Sequence, residues 1–151
     1  MAKVELGDIF EIITTKGKGY FQCVKIDQVR GDLIKVYNKV YNDKPLLISD
    51  MVSVKDAYYI GFPVNAALNR KLISKIGNIP LPANLELPTH MRDKHIIQGE
   101  FLGWFIIEVK TLKRQFVEEL TQEQRSLSPI GLYNDTLLKE RLERGWNLEN
   151  W

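Results

Sequence analysis

Apolar and polar residues alternate with a period of two through the first part of the chain, the pattern of half-buried strands. Residues 8–14, Asp-Ile-Phe-Glu-Ile-Ile-Thr, predict a first strand. Lys16-Gly17-Lys18-Gly19 follows as a solvated hairpin turn in which glycine can take positive φ, and residues 20–27 return as a second strand. Arg30-Gly31-Asp32 turns the chain into residues 33–41, the clearest strand. There Ile34, Val36 and Val40 share one face, while Lys35, Tyr37, Lys39 and Tyr41 share the other. The first face is expected in the core and the second in water.

Asn42-Asp43-Lys44-Pro45 breaks this strand, and residues 46–51 read equally as a short strand or a helical turn. Residues 58–64 predict another strand, with Pro63 marking an edge or an end because it cannot donate to a ladder. A short strand over 72–76 stops at Gly77-Asn78. Pro80, Pro82 and Pro88 then punctuate a connection running to about Gly99, and loops of that length are often functional. Residues 101–110 form an apolar, central strand, since Trp104, Phe105, Ile106 and Ile107 run together, and 113–119 form a further one.

Helical signals close the chain. Thr121 and Gln124 have capping-box spacing, and Pro129 prevents that helix from continuing. Asn134 or Asp135 caps a second helix through Arg144, in which Leu138 and Leu142 lie one turn apart and Glu140 pairs with Arg144. Gly145 is its natural C′ residue, and Trp146 can fold back on the apolar stripe. A helix of about ten residues is marginal alone, so it must dock on the sheet. The predicted class is α+β, mainly β: an antiparallel, partly barrel-like sheet with one or two short C-terminal helices, in one domain over residues 1–151.

Composition narrows the possible functions. With 44% hydrophobic and 26% charged residues the chain is ordinary globular protein, neither disordered nor fibrous. Its 21 basic and 19 acidic side chains leave a net charge of +2 without a clustered basic block, which argues against nucleic acid as a partner. A single cysteine, Cys23, excludes a disulfide framework and a cysteine zinc cluster. The first residues lack the apolar run of a signal peptide, and nothing approaches the roughly 18 apolar residues of a membrane span. The cytoplasm is the expected compartment, without membrane association.

Candidate chemistry changes little. His90 and His95 lie in the proline-flanked connection and read as surface residues, and Cys23 reads as a buried small hydrophobe. Lys16-Gly17-Lys18-Gly19 follows no phosphate-loop pattern, and Glu118, Glu119 and Glu123 read as a solvated face near a helix start. No catalytic, cofactor-binding or metal-ligating residue is predicted, and no cofactor is expected. Trp104 is assigned to the core, with Trp146 and Trp151 as closure residues. For contact with a partner the candidates are Tyr37 and Tyr41 beside Lys35 and Lys39, then Tyr58 and Tyr59. Cross-strand packing is the competing reading for each tyrosine. The charged stretch Met91-Arg92-Asp93-Lys94-His95, placed in the long loop, adds Arg92, Asp93 and Lys94, against the alternative of a merely solvated loop.

Three stretches in order carry a family resemblance: Gly7-Asp8-Ile9-Phe10-Glu11-Ile12, Ile76-Gly77-Asn78-Ile79-Pro80-Leu81-Pro82, and residues 131–146 ending in Gly145-Trp146. Together they resemble the immunity proteins of bacterial polymorphic toxin systems, the family numbered twenty-six. Lys71-Leu72-Ile73-Ser74-Lys75 departs from that pattern, which has a tryptophan shortly before the Ile-Gly pair. The resemblance implies a cytoplasmic, non-enzymatic protein that binds and neutralises a cognate protein toxin, and it carries over no catalytic residues. The alternative is a small SH3-like β-barrel binding nucleic acid, with lysines and tyrosines of the third strand as a stacking platform. An enzyme comes last, because no nucleophile–base pair assembles from the sequence.

Overall fold

The computed structural model describes residues 3–43 and 47–151. Strands β1 (Asp8–Thr14), β2 (Gly17–Lys25) and β3 (Asp32–Tyr41) form the expected meander. Thr14 pairs with Gly17, so the first turn is only Thr15-Lys16, and Gly17 already belongs to β2. Helix α1 (Ile48–Val52) resolves the ambiguous stretch in favour of a helical turn; Lys44, Pro45 and Leu46 lie outside the described residues. β4 (Ala57–Phe62) stops at Pro63, and Val64, expected in the strand, begins α2 (Val64–Asn69) instead. β5 (Ser74–Asn78) takes in the Gly77-Asn78 pair that was expected to end it.

These strands make an antiparallel sheet in the order β4-β3-β2-β1-β5. β4 and β5 are its edges, so the sheet stays open and does not close into a barrel. One face carries Phe10, Ile12, Phe21, Cys23, Ile34, Val36, Ile60 and Phe62, under α2 and under α3 (Asp135–Arg144). α3 docks as its sequence requires. Asn134 caps it by accepting from the Leu137 N–H at 2.8 Å, Leu138 and Leu142 are buried, and Arg144 meets Glu140 at 3.1 Å. Gly145 takes φ 64°, which lets the Trp146 N–H close on the Arg141 carbonyl at 3.0 Å.

The opposite face corrects the expectation of a wet surface. Ile9, Tyr20, Tyr37 and Met51 are buried there, with Tyr41, Ile48, Val52, Ile76 and Ile79 packed around them. α1 covers this face, and polar groups on it find internal partners. Tyr37 donates its hydroxyl to Gln22 Oε1 at 3.0 Å, and Gln22 in turn donates to the carbonyls of Gly7 and Ile79. The ammonium groups of Lys35 and Lys39 lie over the rings of Tyr37 and Tyr41, at 5.7 and 4.8 Å from their centroids. An open sheet with Tyr37 dry is not the barrel platform of the nucleic-acid alternative.

A second antiparallel sheet, β6-β7-β8, is built from β6 (His90–Ile97), β7 (Glu100–Glu108) and β8 (Arg114–Val117). The long connection expected to reach Gly99 therefore ends before His90, and Met91 to His95 belong to a strand. β6 and β7 are joined by Gln98-Gly99 at φ 50° and 80°, the positive pair that tight two-residue hairpin turns require. β7 is central, as its apolar run predicts. The Thr121–Gln124 capping box forms in both directions but supports only a 3-10 turn, Gln124–Ser126.

Residues 128–133 stitch the two sheets together. Arg92 of β6 donates its N–H to the Ser128 carbonyl at 3.0 Å and accepts from the Ile130 N–H at 3.1 Å. A few residues on, Gly61 of β4 donates to the Gly131 carbonyl at 3.0 Å and accepts from Tyr133 at 2.8 Å. Pro129 sits between the two rungs, where a missing donor costs nothing.

Candidate interaction surface

The second sheet is held to the C-terminus by a ladder of cations and rings. Arg92, expected on an accessible loop, has 1% of its surface exposed. Its guanidinium packs against both Trp104 and Trp151, which touch each other, at 4.7 and 4.6 Å from their centroids. Nε donates to the Leu127 carbonyl at 2.9 Å, and Nη2 donates to those of Arg125 at 3.0 Å and Leu148 at 2.6 Å. Burial pulls the guanidinium down to about 10, helped by the nearby charge of Arg125, so it stays charged at neutral pH. Its planar fork ties β6, the 3-10 turn and the C-terminal tail into one unit.

The ladder continues on both sides. Trp151 packs edge-on to Trp104 at 4.9 Å and against Trp146 at 5.8 Å, and Trp146 packs on Tyr58 at 4.9 Å. Arg141 of α3 lies over Trp146 at 4.2 Å. The tryptophans expected as closure residues do close the fold, and they span both sheets. Above Arg92, the half-buried Lys94 ammonium sits within 6 Å of Phe101, Trp104 and Trp151, at 5.9, 5.7 and 5.8 Å.

Beyond Lys94 the β6–β7 hairpin projects with its apolar residues uncovered. Ile96, Ile97, Phe101 and Leu102 are 53, 49, 49 and 40% exposed around the Gln98-Gly99 turn. The register shifts between His95 and Ile96, and Phe101 pairs with Ile96 while packing edge-on to Trp104 at 5.5 Å. On the other face of the sheet, His95, Phe105 and Phe116 form a ring cluster, with Phe116 44% exposed. Clusters of exposed large apolar side chains on a rigid element mark interaction sites.

The sequence-predicted contact residues divide accordingly. Asp93 is exposed and Lys94 half-buried, both on β6 just before the apolar tip. Arg92 lies beneath them as an internal clamp, and burial excludes it from direct contact. Tyr37 and Tyr58, 1% exposed each, are likewise internal; Tyr41 and Tyr59 are half-buried in the other sheet. The tip residues escaped the sequence reading because Ile96 and Ile97 fell in the supposed loop and Phe101 in a supposed core strand. Their signal was apolar pairs on either side of a Gln-Gly dipeptide, a hairpin pattern.

Burial pushes the Cys23 thiol up to about 12, with Asp32 adding to the effect, so the group is an inert thiol. His90 shares a 2.9 Å hydrogen bond with the Thr89 hydroxyl, and His95 packs against phenylalanines. Among the described residues no group of three or more potential ligands could hold a metal, and no helix is long and apolar enough to cross a membrane. The chain matches no protein-family model, no curated protein and no solved structure.

Proposed function

We propose that this chain is a non-enzymatic immunity protein that binds and neutralises a cognate protein toxin, with the β6–β7 hairpin tip at the centre of the contact. The observation that carries the binding role is the gathering of Ile96, Ile97, Phe101 and Leu102, all 40% exposed or more, on one rigid projection. The tip carries large apolar side chains on both faces, with the charged Asp93 and Lys94 behind it on β6, a mix of apolar and polar groups that suits an interface. The toxin as partner, and the bacterial cytoplasm as compartment, are supported by the resemblance of the three sequence stretches to immunity proteins.

The test is co-expression with any toxic domain that an adjacent gene encodes. Wild-type protein is expected to restore growth and to co-purify with that domain. The double variant Ile96→Asp/Phe101→Asp, altered only at exposed positions, is expected to keep its far-ultraviolet circular dichroism and lose on the order of 100-fold in affinity. Failure of the wild-type protein to rescue growth or form a complex sinks the toxin reading. Undiminished binding by the double variant removes the hairpin tip from it.

A further inference from the structure

The C-terminal tail and the segment between β8 and the 3-10 turn border a cavity of about 440 Å³ over Arg92 and Trp104. Its lining is layered by depth. Arg92 and Trp104, 1 and 7% exposed, form the floor. Trp151 and Leu148 are half-buried above them, while Glu118, Glu119, Glu149 and Arg125 are exposed at the rim.

Burial closes Arg92 to the surface of a partner protein, but not to this cavity. Its Nε and Nη2 are committed to backbone carbonyls. Nη1 has no hydrogen-bond partner among the described residues, and it is not one of the side-chain nitrogens sealed from solvent. It is therefore the donor that Arg92 offers to the cavity. A guanidinium in a dry floor calls for an anion. The fold supplies none: among the described residues neither Arg92 nor Arg125 forms a salt bridge. The downward pull on Arg92 comes from burial and from the charge of Arg125, with no glutamate acting against it. The rim carboxylates stand too far out to neutralise the floor.

Floor and rim thus ask for opposite charges. A simple anion suits the floor but is repelled by three glutamates, and a simple cation suits the rim but is repelled by two guanidiniums. Both are satisfied by one molecule that carries a carboxylate and an ammonium together, with an apolar body to cover Trp104, Trp151 and Leu148. The volume is at the small end of ligand pockets, which span roughly 300–1,000 Å³, and suits a single residue rather than a peptide. We propose that this cavity binds a free α-amino acid with a large apolar side chain, its carboxylate on Arg92 Nη1 and Arg125 and its ammonium toward Glu118, Glu119 and Glu149. The ligand bridges the same three segments that the Arg92 clamp ties together. The site stands independently of the toxin reading, because it uses neither the hairpin tip nor any feature of the resemblance.

Titration of the isotope-labelled full chain with L-phenylalanine tests it, followed by NMR at the Arg92 Nε–H and at the indole N–H groups of Trp104 and Trp151. Binding is expected with a dissociation constant on the order of 0.1–1 mM. L-Phenylalaninamide lacks the carboxylate and N-acetyl-L-phenylalanine lacks the ammonium; each is expected to bind about 10-fold more weakly or worse. Arg125→Gln is expected to weaken phenylalanine by about 10-fold. Glu118→Gln/Glu119→Gln is expected to weaken phenylalanine but to strengthen the N-acetyl compound, because repulsion at the rim falls. Unchanged amide spectra away from the cavity check that these exposed substitutions leave the fold intact. No change at the three reporters up to about 10 mM phenylalanine overturns the proposal. So does either derivative binding as tightly as phenylalanine, or folded variants that bind all three compounds as wild type does.

Discussion

Replacing Arg92 with methionine removes every side-chain donor from the clamp while leaving an unbranched chain packed against Trp104 and Trp151. Three carbonyls, of Arg125, Leu127 and Leu148, lose a charged partner now at 3.0, 2.9 and 2.6 Å. Hydrogen bonds to charged groups contribute about 1.5–3 kcal/mol each, and the two cation–π contacts about 0.5–1 kcal/mol each. The gross loss is therefore roughly 6–11 kcal/mol. Against it stands the relief of no longer burying an ion, worth several kcal/mol. Among the described residues no carboxylate bonds to this guanidinium, so methionine strands three neutral acceptors rather than a second charge. The net cost is roughly 3–5 kcal/mol, a large part of the total stability of an ordinary domain.

Urea unfolding followed by tryptophan fluorescence reads this directly, since Trp104, Trp146 and Trp151 all belong to the ladder. The Arg92→Met midpoint is expected to fall with little change in slope. Amide exchange should accelerate at Ile130 and along residues 146–150 more than in β1–β3. Arg92→Lys is expected to recover little of the loss, because a point ammonium cannot reach three carbonyls set around a planar fork. An Arg92→Met protein within about 1 kcal/mol of wild type, or full recovery with lysine, would refute the clamp.

Two further changes probe the frame around the site. At Gly61, where residues 128–133 cross the β4 edge, a Cβ would lie 2.8 Å from the Gly131 carbonyl oxygen; Gly61→Ala is expected to cost about 1–3 kcal/mol, and an unchanged urea midpoint would show the stitch to be slack. For Asp8, burial alone would raise the carboxyl, but hydrogen bonds from Asn78, the Glu5 N–H and Lys75 outweigh it and hold the group below its ordinary value. A folded value below the unfolded one gives stability that is present at neutral pH and lost as pH falls through the folded value. Urea midpoints from neutral pH down to about pH 2 are expected to fall less steeply in Asp8→Asn than in wild type, and equal slopes would exclude this carboxylate as a source of acid sensitivity.

What the sequence determined by itself was whatever depends on neighbours along the chain. Period-two alternation set β1 at Asp8–Thr14, and Asn134, the Leu138–Leu142 stripe and Gly145 set both ends and the buried face of α3. The mainly β class, the β1–β2–β3 meander and the central place of β7 follow from the same short-range preferences. The connection to Gly99 was misjudged for a related reason: prolines at 80, 82 and 88 dominate their surroundings, and Arg92, Asp93, Lys94 and His95 hide a strand behind charge.

Tertiary structure decided which faces are wet. Lys35, Tyr37, Lys39 and Tyr41 look solvated until α1 packs over the face they share, and no local pattern announces where a five-residue helix will land. Arg92 looks like a surface cation until its partners arrive from 33 to 56 residues further along, as backbone carbonyls whose identity no side chain encodes. Exposure of the hairpin tip was likewise settled in three dimensions. Ile96, Ile97, Phe101 and Leu102 have the composition of a core, and only the absence of any element packed over that end of the sheet, among the described residues, makes them a surface.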